Sequence, residues 1–409
     1  MRSFVSQLSP GQELTKVSLP SELCHPFSML ELVAYRELQL YHILFEILKE
    51  TTPLDRFLAI VRWYLGLVRE ETMEKKPFNP VIGETHLCWL DHGNGDYSEF
   101  IGEQVSHHPP VSAFIVRNKS QSVSITGAVT FKVGFGSNCA SVTTGGEVII
   151  HTTDEKYIMD KCVPDMMVNN VVWGEKYLMW HGRVTISCPS NSYVAHLTFS
   201  EENSRNVLVG ELLEGDKVLF KFDGVAGHET YMTDVQSNER KLFVDISKYT
   251  DNSIHYLPDE VQTAYNSLKL WMPVKDAIVK NDLVTADEEK KKIEADQRIR
   301  QKQRLATGDW RDAQYFRFHS KPAQQPTTPT EPQEEEEEMD ETAKHEAEIA
   351  RGVWEFKDNF CIDQEYITSM LSEAEQIRSK KEAEKDNTPV EPDLPAPDAQ
   401  PDDSTCSVQ

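Results

Sequence analysis

A chain of 409 residues with a formal net charge of −25 lacks the excess of clustered cations that a nucleic-acid-binding protein needs. Hydrophobic residues make up 39% of the chain and aromatic residues 9%, which excludes a wholly disordered protein. Its seven cysteines form no CxxC pair and no run of about 18 apolar residues occurs, so we expect a reduced, cytosolic protein without a membrane-spanning segment.

The N-terminal residues contain a short apolar set that is too small to form a stable helix by itself. Its members are Phe4, Val5 and Leu8, followed by Leu14, Val17 and Leu19. We expect this segment to dock on an apolar surface elsewhere in the protein. Apolar residues at helical spacing then predict helices over residues 28–49 and 54–70.

After about residue 85 the period of the apolar residues changes to two. The alternation is clearest in residues 123–135, 178–188, 193–199 and 218–222. Short turn-rich gaps separate several of these runs. Many strands joined by short turns predict a large antiparallel sandwich or barrel that ends near residue 247.

Helical patterns return after the strands. We expect a helix from Pro258 through Met272 and another that begins at Thr285, because Thr285 and Glu288 have the spacing of a capping box. The second helix continues through a basic stretch to Arg304.

The negative charge is concentrated in the last part of the chain. From residue 306 onward there are 26 acidic and 10 basic side chains, a net charge of −16, which leaves −9 for residues 1–305. The segment 322–342 is rich in Pro, Thr, Gln and Glu, and the segment 386–409 combines five prolines with Asp, Glu and Ala. These compositions predict a disordered insert and a disordered tail.

A pair of histidines precedes two prolines where a predicted strand ends. Two imidazoles held side by side, as at His107 and His108, can donate hydrogen bonds to one anionic group, above all when one of them is protonated. Composition alone favours two ordinary surface or capping histidines instead. A metal site would need further ligands, and no suitable spacing of such ligands is visible.

Two further sets of residues place cations where an anion could bind. Lys75 and Lys76 precede a proline-fixed turn, at which ammonium groups can act as compact charges for a phosphate. Lys290, Glu294 and Arg298 are four residues apart and share one helix face. Taken singly, these sets are better explained by a solvated loop and by salt bridges worth about 0.3–0.5 kcal/mol per pair. Together they are more specific, because one polyphosphorylated headgroup would use all three sets.

The segment Glu103-Gln-Val-Ser-His-His-Pro-Pro110 resembles the eight-residue fingerprint of the lipid-binding domains of the oxysterol-binding-protein-related family. Further blocks resemble that family in the expected order. They are Leu14–Pro20, Lys75–Glu84, Trp271–Val274 and Glu288–Arg304. A complete match with ordered flanking blocks is far more specific than a lone short motif.

The resemblance covers residues 1 to 365 and implies a β-rich α+β fold. In this fold a large, nearly closed antiparallel β-barrel surrounds an apolar tunnel, with N-terminal helices, a C-terminal helical region and an N-terminal lid. The lid would contain Phe4, Val5, Leu8 and Leu14. The residues that would hold a phosphorylated inositol at the tunnel mouth are Lys76, Asn79, His107, His108, Lys290, Glu294 and Arg298, with Lys75 as a further addition.

The resemblance also predicts how the chain is divided. Residues 1–20 would form the lid and residues 21–365 the lipid-binding domain, interrupted by the acidic insert 322–342. A helical extension would follow at 366–385, and the tail at 386–409. The protein would thus be a short, single-domain member of its family.

The implied function is non-enzymatic binding of one lipid at a time and its transfer between membranes. A sterol or phosphatidylserine would be exchanged for phosphatidylinositol 4-phosphate by a monomer in the cytosol, with transient contact to membrane surfaces and without a cofactor or a metal. One alternative is a lipid-regulated scaffold whose occupancy controls partner binding. A phosphoinositide-acting enzyme is less favoured, because the sequence has no Cys-x5-Arg loop, P-loop, HExxH or GxSxG motif.

Overall fold

The structure is a computed structural model that describes residues 19–69, 75–203, 205–308, 311–320, 348–349 and 352–386. The lid residues Phe4, Val5, Leu8 and Leu14, the acidic insert 322–342 and residues 387–409 of the predicted tail lie outside this description. No helix in the described ranges has the length and apolar character needed to cross a bilayer.

A short 3-10 helix (Ser21–Leu23) and three longer helical elements precede the large sheet. The longer elements are α1 (Met29–Gln39), a 3-10 helix (Tyr41–Lys49) and α2 (Pro53–Leu67). The helix α1 begins with a capping box, in which the Ser28 amide donates to Glu31 Oε1 at 2.9 Å. The helix predicted over 28–49 is therefore two elements that meet at Leu40, and the helix predicted over 54–70 is confirmed as α2.

The large sheet has fourteen strands, and they include every strand that the alternation of apolar residues predicted. In chain order they are β3 (Thr85–Asp91), β4 (Tyr97–His107), β5 (Pro110–Asn118), β6 (Ser124–Phe135), β7 (Cys139–Gly145), β8 (Val148–His151), β9 (Lys156–Met159), β10 (Asp165–Asn169), β11 (Tyr177–Ser187), β12 (Tyr193–Glu202), β13 (Arg205–Glu214), β14 (Lys217–Val225), β15 (Glu229–Asp234) and β16 (Arg240–Asp245). A separate parallel pair consists of β1 (Cys24–Ser28) and β2 (Lys76–Phe78).

The strands follow one antiparallel path from β3 to β16, except that β8 and β9 form a second bridge between β6 and β11 beside the bridge made by β7 and β10. In the described sheet β3 and β16 do not pair with each other. The helix α1 contacts β3, β4 and β5, whereas α2 contacts β12 and β16. Since both helices share one apolar core, the two ends of the path come together, as a nearly closed barrel requires.

The hairpin connections alternate between the two edges of this antiparallel sheet. We call the edge that carries the β4–β5 turn, His107–Pro110, the histidine edge. The connections β6–β7, β10–β11, β12–β13 and β14–β15 lie at the same edge. The histidine edge therefore gathers the ends of many strands around one side of the barrel.

The helices after the sheet differ in their starting points from the prediction. They are α3 (Ser267–Leu270), α4 (Met272–Val279), α5 (Leu283–Thr307) and α6 (Gln364–Asp386). A helix from Pro258 is wrong, because the Asn266 side chain caps α3 by accepting the Leu268 amide at 3.0 Å. The Thr285 cap is also wrong. Asp282 caps α5, and its Oδ1 accepts the Thr285 amide at 3.1 Å.

The C-terminal region also adds a small antiparallel pair. It consists of β17 (Phe316–His319) and β18 (Val353–Phe356), and His319 lies opposite Val353. Its aromatic side chains belong to a second apolar cluster, which packs on the outer face of β3, β4 and β5. This cluster covers part of the barrel wall next to the histidine edge.

Candidate functional site

Seven predicted headgroup residues line one cavity of about 140 Å³. They are Lys76, Asn79, His107, His108, Lys290, Glu294 and Arg298. The segment at β2 supplies the first two, the β4–β5 turn supplies the histidines, and α5 supplies the other three. Residues that are far apart in the sequence thus converge beside the histidine edge.

The β2 segment is held in place by apolar stacking. Lys76 pairs in register with Cys24 of β1, and the ring of Phe78 stacks on Trp271 with 4.5 Å between centroids. Both aromatic side chains are fully buried. The turn that carries Lys76 and Asn79 is therefore anchored to the start of α4 rather than free in solvent.

A buried carboxylate, Glu84, ties the following turn to the helices. Its oxygens accept hydrogen bonds from the Val81 amide at 3.0 Å, Ser267 Oγ at 2.7 Å and Trp271 Nε1 at 2.9 Å. Burial raises the pKa of Glu84 to about 7, against the effect of its hydrogen bonds. Sequence reasoning gave Glu84 no role, although a lone acid beside Val81, Ile82 and the first large strand was a signal for a buried hydrogen-bonded carboxylate.

The turn beside α5 carries a glycine in a left-handed backbone conformation, against which an arginine of α5 packs. Gly83 has a φ of +75°, and a Cβ at this position would lie 2.7 Å from a guanidinium nitrogen of Arg300. The Arg300 guanidinium also lies over the Tyr265 ring, 3.6 Å from its centroid. Packing of Arg300 against the turn thus sets the position of α5 and of the cavity residues that α5 carries.

The two histidines lie side by side, as the sequence predicted. Their ring centroids are 4.7 Å apart and the rings meet edge to face. The peptide bond between His108 and Pro109 is cis. Burial and, to a smaller extent, the neighbouring His108 lower the pKa of His107 to about 4, so its imidazole is neutral at pH 7.

One ring nitrogen of His107, Nδ1, is buried without a hydrogen-bond partner among the described residues. Buried polar atoms in native proteins usually have a partner. A ligand oxygen in the cavity could supply the missing partner, and this observation favours a binding role over an ordinary capping histidine.

The face of α5 that lines the cavity carries charged side chains that form ion pairs and differ in their exposure to solvent. Lys290 Nζ lies 2.5 Å from Glu294 Oε1, and an Arg298 nitrogen lies 4.0 Å from Glu294 Oε2. The side chain of Lys290 is only 8% exposed, whereas that of Arg298 is 67% exposed. The interpretation as a solvated salt-bridge face therefore fits Arg298 and does not fit Lys290.

The charge balance of the cavity is positive. Lys76, Lys290 and Arg298 contribute three cations, and Glu294 contributes one carboxylate. Lys76 donates to Asn79 Oδ1 at 2.5 Å. Burial, assisted by the neighbouring charge of Lys290, lowers the pKa of Lys76 to about 8. An excess of cations in a concave, partly buried site favours a multiply charged anion such as a phosphorylated headgroup.

Lys75, which the sequence added to the predicted headgroup residues, lies outside the cavity. Lys75 is exposed, and the residues that line the cavity do not include it. The cavity instead contains Cys24, Gln297 and Gln301, which the prediction missed. The two glutamines could have been found, because they lie three residues after Glu294 and Arg298 on the same helix face.

No group of three or more potential metal ligands occurs in the part of the chain that the structure describes. The donors around the cavity are mostly cationic, which suits an anion rather than a metal ion.

The family model for oxysterol-binding proteins matches residues 3–355. The chain belongs to the oxysterol-binding protein family. This family consists of lipid-binding and lipid-transfer proteins and not of enzymes, so the predicted family and the non-enzymatic, lipid-binding class are confirmed. The phosphoinositide-acting enzyme is thereby discarded.

Relatives from animals and fungi resemble the chain over most of its length. Human oxysterol-binding protein-related protein 5 is 31% identical over 317 residues, which are 74% of this chain and 36% of the relative. The oxysterol-binding protein-like protein OBPalpha of Candida albicans is 29% identical over 326 residues, 77% of this chain and 75% of the relative. The chain thus spans about a third of the human relative's length.

Solved structures share the fold. The crystal structure of the Osh1 ORD domain in complex with ergosterol has a TM-score of 0.63 at 19% identity, over 79% of this chain and 84% of that one. The Saccharomyces cerevisiae Osh3 ORD in complex with PI(4)P has a TM-score of 0.54 at 18% identity, over 77% and 86%. The predicted β-rich fold with its antiparallel barrel is confirmed by this likeness and by the strand order.

Proposed function

We propose that the protein transfers single lipid molecules between membranes, exchanging phosphatidylinositol 4-phosphate for a sterol or phosphatidylserine. It would act as a monomer in the cytosol and touch membrane surfaces transiently. The observation that carries the proposal is the positive cavity that Lys76, the histidine pair and α5 form beside the edge of an apolar barrel. Relatives of the same fold support both ligand types, since one was crystallised with ergosterol and another with PI(4)P.

The cavity and the barrel would hold different parts of the lipid. Each methylene group that is exposed to water costs about 0.8 kcal/mol, so a carrier must enclose the acyl chains or the sterol rings. The inward side chains of the barrel are apolar, and apolar side chains can contact both acyl chains and sterol rings. The headgroup cavity would therefore recognise the phosphoinositide, and the second lipid would share the interior without using the cations.

The double variant His107→Ala with His108→Ala tests this division. We expect the loss of phosphatidylinositol 4-phosphate extraction and transfer, because His107 would no longer contribute its buried nitrogen to the headgroup. Binding of the second lipid should persist within about twofold, since no histidine contact is needed for it. Transfer between donor and acceptor liposomes is measured for each lipid. Equal loss of both lipids in a folded variant would refute the assignment.

The lipid-regulated scaffold gives a different result in the same assay. A scaffold binds phosphatidylinositol 4-phosphate from liposomes without accelerating its movement to acceptor liposomes. Wild-type protein that binds but does not transfer would therefore refute lipid exchange and leave the headgroup site in place.

A further inference from the structure

The connection between β10 and β11 exposes apolar side chains at its tip. Trp173 is 63% exposed and Val172 38%, and Tyr177 at the start of β11 is 39% exposed. The structure describes six of the seven tryptophans, and the other five in that part are at most 8% exposed. An indole that is left in water loses the free energy that burial gives to the others, so its exposure needs an explanation.

The backbone of this loop is braced by one side chain from the neighbouring β6–β7 connection. Asn138 Oδ1 accepts hydrogen bonds from the amides of Val172 at 3.0 Å and Trp173 at 3.1 Å. Asn138 Nδ2 donates to Asn170 Oδ1 at 3.1 Å and to the Trp173 carbonyl at 3.2 Å. The brace fixes the loop and gives the amides of Val172 and Trp173 and the Trp173 carbonyl hydrogen-bond partners within the protein.

The loop lies at the histidine edge of the sheet. Asn169 pairs with Tyr177 across the hairpin and with Cys139 of the next strand, where the β6–β7 connection also lies. The strand path leads from there through β6 and β5 to the turn that holds His107. The exposed tryptophan and the headgroup cavity therefore face the same side of the barrel.

We propose that Val172 and Trp173 insert into the interfacial layer of a lipid bilayer and dock the histidine edge on the membrane. Indole rings favour this layer because their apolar body and their N–H group both find suitable surroundings there. The amides of both residues already donate to Asn138, so insertion does not leave them without hydrogen bonds in a medium that lacks water. The docking itself does not depend on the proposed lipid transfer, and only its biological purpose rests on that function.

A bilayer fits the loop better than a protein partner does. Two apolar side chains with the exposed Gly174, Glu175 and Lys176 beside them offer far less than the roughly 800 Å² per partner of a stable protein interface. A membrane surface needs no matching shape, and shallow insertion of a few apolar side chains suffices for transient binding.

Quenching by brominated lipids tests the insertion directly. Vesicles of phosphatidylcholine with brominated acyl chains should quench part of the wild-type tryptophan fluorescence, and Trp173→Phe should lose that part. Trp310 lies outside the described residues, and the comparison with Trp173→Phe subtracts its signal. Equal quenching in both proteins, or no quenching in the wild type, would overturn the proposal.

Vesicle binding and transfer provide the second test. Trp173→Ala with Val172→Ser should lower the partition coefficient onto phosphatidylcholine vesicles about tenfold and slow transfer in proportion, because most of the inserted apolar area is lost. Asn138→Ala should lower the partition coefficient severalfold, although Trp173 remains. The matched control is Val235→Ser, an exposed valine in the β15–β16 turn at the opposite edge, which should change neither.

Affinity for the water-soluble headgroup, glycerophosphoinositol 4-phosphate, separates this proposal from the function itself. The loop variant should bind it as the wild type does. Unchanged vesicle binding in the variant would overturn membrane docking by the loop, and a loss of headgroup affinity would show that the loop serves the cavity instead. Wild-type protein that is quenched by brominated lipid but transfers nothing would refute the transfer function and support the anchor.

Discussion

Burial and the neighbouring acidic groups have opposite effects on the pKa of Lys76. Burial lowers its pKa to about 8, and Lys290 adds to the effect, whereas Cys24 and Glu294 raise the pKa. An anion in the cavity would favour the ammonium form and raise the pKa again. Ligand binding and proton uptake by Lys76 are therefore coupled.

This coupling gives the headgroup affinity an alkaline pH dependence. Below about pH 8 Lys76 is already charged and binding takes up little proton, whereas above about pH 8 binding must protonate it. Affinity for glycerophosphoinositol 4-phosphate should thus fall between about pH 7 and about pH 9.5, by at most about tenfold per pH unit for one proton. Isothermal titration calorimetry measures both the affinity and the proton uptake.

Two lysine variants make this test specific. Lys76→Ala should lose both affinity and the alkaline pH dependence. Lys75→Ala changes the neighbouring exposed lysine outside the cavity and should keep both. A wild-type affinity that stays constant up to about pH 9.5 would contradict the role of Lys76.

At the scale of elements, the cavity depends on how α5 lies against the turn before β3. Gly83 leaves room for Arg300, and Glu84 ties the same turn to Ser267 and Trp271. Neither residue has to touch a ligand. Both determine the distance between the cations of α5 and the histidine turn, so we regard them as positioning residues.

The variant Gly83→Ala tests this positioning role. Its Cβ would lie 2.7 Å from a guanidinium nitrogen of Arg300, so the Arg300 side chain must leave the turn. We expect the loss of this packing to loosen α5 and to lower headgroup affinity severalfold. The control is Gly95→Ala in the β3–β4 turn, which has nearly the same φ, +76°, and no atom within 4 Å of the new Cβ. Both variants should lose about 1–2 kcal/mol of stability from the left-handed backbone. Urea unfolding checks that the two variants lose similar stability. Equal headgroup affinities of Gly83→Ala and Gly95→Ala would then argue against a role of the contact between Gly83 and Arg300.

The elements also show which features a sequence can predict. Period-two alternation located β6 and β11, because an inward face that is apolar leaves a local pattern. The predicted helix starts at Pro258 and Thr285 were wrong because the side chains that cap α3 and α5 are those of Asn266 and Asp282. Recognition of a family fingerprint, rather than periodicity, placed the seven cavity residues.

Other features depend on contacts between distant parts of the chain, which no local pattern records. The burial of Glu84 requires Ser267 and Trp271, more than 180 residues later. The sequence predicts only an ordinary turn residue at Asn138, whereas the structure shows that its side chain accepts hydrogen bonds from the β10–β11 loop. The exposure of Trp173 is equally hard to predict from its residue type, since the other five tryptophans in the described part of the chain are buried.

At the scale of the whole molecule, the net charge and the cavity have opposite signs. The chain carries −25 overall, and residues 322–342 contribute eight acidic and no basic side chains. Anionic membranes should therefore repel the protein at long range while the cavity attracts a single headgroup at short range.

Removal of residues 322–342 separates these two effects. Because β17 and β18 pair with His319 opposite Val353, shortening the segment between them leaves their ladder intact. Association with vesicles that contain phosphatidylserine should become severalfold faster at low salt, and the difference should vanish near 1 M salt. Stopped-flow light scattering measures this rate. Substitution of the eight acidic residues of this segment by Gln and Asn removes the same charge without shortening the chain, so it should accelerate association to the same extent. No change in rate would show that this charge does not govern docking.

The barrel wall is doubly connected between β6 and β11, since β7 with β10 and β8 with β9 each bridge the same two strands. Opening of the small β8–β9 bridge would leave the other bridge to hold the wall together. Such redundancy confines a local opening to a small part of the wall, so the apolar interior stays shielded from water. A barrel wall with two such bridges can open locally at one of them and remain closed at the other.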